Sequence, residues 1–137
     1  MSSPNTNSEG DKPDISKLNN PASVPPENVV DTVRPGEFPA AGHVYKVDFG
    51  LFGGTLDFHS EKKMTFDVSI KGGPQNVRET VDIHVTKIRD SVFMVHWVEK
   101  SGSLVHVEDF ERGVVYTNAQ PPGGKMMRLK GTLTKVK

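Results

Sequence analysis

From Gly42 to the end, the chain is a succession of short runs in which apolar and polar residues alternate, each cut off by a cluster of turn residues. The runs cover residues 43–49, 55–60, 64–70, 77–88, 92–99, 103–110, 114–118 and 126–135. In the first, Tyr45, Val47 and Phe49 share one face; in the third, Met64, Phe66, Val68 and Ile70 do. A period of two over such lengths is the pattern of a half-buried β-strand. The breaks, such as Gly50-Leu-Phe-Gly-Gly54 and Lys71-Gly-Gly-Pro74, are too short to hold a crossover helix, so consecutive strands must be antiparallel neighbours. Eight such strands close most economically into an all-β, eight-stranded antiparallel up-and-down barrel, which leaves no exposed edge. A barrel of that size has room for one small ligand. A sandwich is the alternative, because periodicity does not separate the two.

Residues 1–41 have a different character. Seven of the ten prolines fall there (Pro4, Pro13, Pro21, Pro25, Pro26, Pro35, Pro39), and Phe38 is the one aromatic. So little apolar surface does not offset the entropy of ordering, and a mostly disordered arm is expected, followed by a barrel domain over 42–137. Within the arm, Glu27 to Val33 follows two prolines and suits a short helical turn. Its valines and Phe38 could dock on the barrel as a plug, or the segment could be a leader without a role.

Charge excludes some partners. The 17 basic and 17 acidic side chains cancel, although the arm holds six acids against three bases and the barrel carries the compensating excess of three. That excess is far short of a nucleic-acid footprint. With no cysteine, disulfide scaffolds, thiolate catalysis and sulfur-ligated zinc are excluded. The first residues do not read as a secretory signal, and no apolar stretch is long enough to span a membrane, so a cytoplasmic protein is expected.

Candidate site residues follow from the last hairpins. If Lys100-Ser-Gly102 and Glu111-Arg-Gly113 are three-residue loops closed by a left-handed glycine, Glu99 pairs with Ser103 and Phe110 with Val114. One face then gathers Met94, His96, His106, Glu108, Phe110, Tyr116 and Asn118. The other gathers Phe93, Val95, Trp97, Val105, Val107, Asp109, Val115 and Thr117. If the first face lines the lumen, it is an apolar pocket with convergent polar groups, suited to a small apolar or amphiphilic molecule. If the Trp97 face lines it, the polar row is the ordinary outside of a sheet. A two-residue loop in the first hairpin would slip the register by one and regroup these sets.

Other functions rest on the same residues. A histidine, a carboxylate and a tyrosine in one dry pocket could serve a small lyase or isomerase by acid–base chemistry. No nucleophile elbow, zinc-protease, phosphate-loop or dinucleotide motif supports catalysis, and no cofactor is implied. His96, His106 and Glu108 would make a two-histidine, one-carboxylate metal set if they converge. Glu108, Asp109 and Glu111 could hold calcium near a turn. A homodimer through an outer apolar face is the default oligomer.

The stretch Val105-His-Val-Glu-Asp-Phe-Glu-Arg-Gly-Val-Val-Tyr-Thr-Asn118, with Val95-His-Trp-Val-Glu99, Leu129-Lys-Gly-Thr-Leu133 and Gly42-His-Val-Tyr-Lys-Val-Asp-Phe49, resembles the MoaF-like family. The resemblance runs from about Gly42 to Val136. It implies a small calycin-type, lipocalin-like barrel rather than a particular activity; calycins mostly bind small apolar ligands, and some barrels of similar shape are enzymes.

Overall fold

Runs of β-branched and aromatic residues satisfy their backbone polar groups by pairing with the next run. The computed structural model describes residues 33–71, 73 and 76–137. It places them in nine strands: β1 (Val44–Asp48), β2 (Phe52–Phe58), β3 (Lys63–Ile70), β4 (Asn76–Asp82), β5 (His84–Arg89), β6 (Val92–Glu99), β7 (Gly102–Asp109), β8 (Val114–Gln120) and β9 (Met127–Lys135). Every pairing is antiparallel, in the order β4-β3-β2-β1-β9-β8-β7-β6-β5. No helix occurs among the described residues.

Two expectations change. The described residues form nine strands, not eight, because the run 77–88 bends at Ile83 into β4 and β5. The sheet is also not a closed barrel, since β4 and β5 are its two edges. At the bend the Ile83 amide donates to the Lys62 carbonyl (2.9 Å), and the Ile83 side chain is buried in the core. Both edges meet at this single residue, so the twisted sheet must curl until its first and last strands approach. The result is a half-barrel with a seam. Across it the Lys100 amide donates to Glu79 Oε1 (3.3 Å), and the Val33 amide donates to the Val85 carbonyl on the β5 edge (3.3 Å).

Residues 33–41, expected as the end of the arm, pack into one end of the half-barrel. Arg34-Pro-Gly-Glu37 turns with proline second and Gly36 third at φ 90°, the form that favours glycine there. The Glu37 amide donates to the Arg34 carbonyl (3.0 Å), and the Arg34 amide donates to Glu37 Oε1 (2.7 Å). This turn returns Phe38 to the interior beside Phe58, Phe93 and Phe110, edge to face at 5.2, 5.3 and 5.7 Å. Val33 and Ala40 are buried with it. Docking by Phe38 and Val33 therefore occurs. The helical turn expected from Glu27 to Val33, except for Val33 itself, and the disorder expected over residues 1–32 lie outside the described residues.

Candidate functional site

Which side chains face the interior depends on register. Glu99 pairs with Gly102, leaving Lys100 and Ser101 as a two-residue loop, and Asp109 pairs with Val114, leaving a four-residue loop. Both hairpins differ by one residue from the three-residue loops expected. The second differs because Asp109 Oδ1 accepts from the amides of Glu111 (3.0 Å) and Arg112 (2.9 Å), capping the turn. Phe110 is thereby released from the ladder, and its ring joins Phe38, Tyr45 and Phe93.

A slip of one reverses a strand's faces. Two slips reverse β7 relative to both neighbours, while β6 and β8 stay as grouped. The interior therefore receives Phe93, Val95 and Trp97 from β6, Leu104, His106 and Glu108 from β7, and Val115 and Thr117 from β8. Met94 and His96 on β6, with Tyr116 and Asn118 on β8, point outward, and Tyr116 is 48 % exposed. Of the seven residues singled out in the sequence, the structure brings together His106 and Glu108. Phe110 lies at the packed end, and the other four share the outer face.

His106 (3 % exposed) and Glu108 (0 %) form the polar centre of the interior. His106 Nδ1 and Glu108 Oε2 share a hydrogen bond at 3.1 Å; with the carboxyl group ionised, Nδ1–H is the donor. Glu108 Oε1 and the hydroxyl of Thr117 (2 % exposed) have no hydrogen-bond partner. Aromatic rings surround the group. Trp97 meets the imidazole edge to face at 4.6 Å and Phe49 does so at 5.9 Å. Phe49 reaches His106 because β9 has a glycine beneath it: a Cβ on Gly131 would stand 2.7 Å from the Phe49 ring. Burial first, and the Glu108 charge second, hold the Tyr45 phenol above its ordinary pKa of 10.0.

Trp97, Thr117, Tyr45 and Phe49 were not among the candidates. The usable signal was Asp109, since an aspartate opening a Glu-Arg-Gly turn can cap it and lengthen the loop. The register also splits both candidate metal sets. His96 lies outside, away from His106 and Glu108, and Asp109 is engaged in the turn while Glu111 is exposed. On the outer face His96 stacks on His84 at 5.8 Å. Burial, then the neighbouring His84, lowers the His96 pKa from 6.5. Lys130 lies 5.9 Å from the Tyr116 ring beside a depression of about 350 Å³, lined also by Asn118 and Arg128. No helix among the described residues is long and apolar enough to cross a membrane.

None of the curated proteins matches the chain. A crystal structure described as "a putative beta-lactamase from Burkholderia vietnamiensis" is similar, with a TM-score of 0.64 and 24 % sequence identity over 77 % of this chain and 100 % of that one. At that identity the likeness shows the fold alone. The family model described as MoaF-like matches residues 41–134, the span that carries the half-barrel and its buried pair. The chain belongs to the MoaF-like family.

Proposed function

We propose that this protein binds a small, partly apolar molecule whose polar end meets His106, Glu108 and Thr117 inside the half-barrel. One observation supports this above others: a wholly buried carboxyl group keeps one oxygen unpartnered on the same inward face as an unpartnered threonine hydroxyl. Native interiors rarely leave such groups unmet, and each unmet group costs roughly 1–3 kcal/mol. A ligand supplying their partners would recover that cost. Its apolar part would lie against Phe49, Trp97 and Leu104 at the end not covered by Phe38.

Trp97 is the single tryptophan and touches His106, so it reports on this site. Titration with a fluorescent apolar probe, read by energy transfer from Trp97, is expected to saturate and to weaken in Thr117→Val. Absence of saturable uptake by the folded protein overturns the reading.

One chemistry compatible with the structural neighbour's name uses a serine activated by a base. Ser60 and Lys63 have Ser-x-x-Lys spacing. Ser60 Oγ, however, accepts from the Lys62 amide (3.0 Å) in a surface turn, and Lys63 Nζ pairs with Asp82 (3.0 Å). No observation favours that chemistry.

A further inference from the structure

We infer that the polar end of the ligand is an organic cation, most simply a primary ammonium, held by Glu108 Oε1 and Thr117 Oγ1. This rests on the interior reading above and adds the ligand's charge. His106 pairs directly with Thr117 across β7 and β8, and Glu108 follows two residues along the same inward face. The three side chains are thus near neighbours on one surface. His106 occupies one carboxylate oxygen and leaves the other free.

The unpartnered carboxyl oxygen favours a donor, and the threonine hydroxyl can accept from the same group with its lone pairs while its own O–H turns elsewhere. A ligand carboxylate or phosphate would meet a like charge in a low-dielectric interior. An alcohol would supply one proton and no charge, whereas an ammonium supplies three donors and the charge. Among the described residues, no lysine or arginine is paired with Glu108; its one side-chain partner is the His106 imidazole. A buried carboxylate calls for fuller compensation than a single imidazole provides.

The walls agree with a cation. Phe93 pairs with Glu108 across β6 and β7, and Trp97 and Phe49 stand against His106. Aromatic faces attract a desolvated cation through their ring quadrupoles. The carboxyl group and the aromatic walls therefore favour the same sign of ligand, and the hydroxyl is compatible with it.

The test uses three probes of equal chain length at constant ionic strength: butylammonium chloride, butanol and sodium butyrate. Binding is read from Trp97 emission and located by amide shifts of His106 and Thr117. Butylammonium is expected to bind at least about tenfold tighter than butanol, with butyrate weakest, since charge-assisted hydrogen bonds are the strong ones. Glu108→Gln should shrink that preference to within about twofold, while Thr117→Val should weaken binding and keep the preference. The wild-type comparison needs no variant, so it decides the matter even if Glu108→Gln does not fold. Equal binding of butanol, or tighter binding of butyrate, overturns the cation and leaves the interior site standing. No saturable response to any probe, or shifts confined to Tyr116 and Asn118, overturns both.

Discussion

The two ends of the half-barrel are built from similar residues and finished differently. At one end Phe38, Phe58 and Phe93 are each no more than 2 % exposed, joined by Tyr45 and Phe110 in edge-to-face contacts. These rings come from sequence positions far apart, and residues 33–41 complete the closure. At the other end Phe49, Phe52 and Leu104 are half-buried. The main aromatic pair there, Phe49 with Phe52 at 5.1 Å, is local, and the Phe49 amide donates to the Phe52 carbonyl (2.9 Å). Long-range aromatic packing makes a sealed base; at the other end Trp97 and Phe49 stand against His106, and the local Phe49–Phe52 pair finishes the half-buried rim. The polar centre of His106 and Glu108 lies between them.

The largest test of this contrast is truncation at each end. Phe38→Ala removes a ring buried among three others and is expected to cost about 3–5 kcal/mol, the range for core aromatics. Phe52→Ala, at a half-buried position, should cost well under half of that. Urea denaturation of the two variants measures both, and equal losses would erase the distinction. A smaller effect is expected at Gly131. An added Cβ would stand 2.5 Å from the Asp48 carbonyl and 2.7 Å from Phe49, so Gly131→Ala must move that rim. A loss of roughly 1–3 kcal/mol is expected, as for overpacking elsewhere. Its amide shifts should concentrate around Phe49 and His106 and spare Phe38; shifts spread evenly over both ends would contradict independent construction.

The smallest effect lies on the outer face. The lowered pKa of His96 means that the folded chain takes up that proton less readily than the unfolded chain does. Its contribution to stability is complete above pH 6.5 and is lost as pH falls through the lower folded value. His96→Gln should flatten that acid limb in a series of melting temperatures from pH 7.5 to 5, without changing probe binding. A loss of probe binding in this variant would place the outer face in the site.

Much of this could be read from the chain. The alternation of Phe93, Val95 and Trp97 against Met94 and His96 separates the faces of β6 whatever its neighbours do, because successive side chains on a strand point to opposite sides. The same holds within β7 for His106 and Glu108. Which face of β7 joins which face of β6 depended on loop lengths of two and four residues rather than three. Those lengths are tied to Asp109 capping its turn and to Phe110 packing beside Phe38, seventy-two positions earlier in the chain. Local pattern carries no record of such a contact. The bend at Ile83 is similar, since its amide is met by Lys62 from a distant turn and the run 77–88 has no internal sign of a break.

An all-β chain of antiparallel neighbours, and the in-or-out partition within each strand, follow from a period of two and from turns too short for a crossover. Contacts between distant residues add the rest: the sheet stays open at Ile83, residues 33–41 seal one end, and His106 and Glu108 turn inward while His96 and Tyr116 turn out. The physical reason is that a one-residue change of register costs little locally yet reverses a whole strand, so long-range packing settles it.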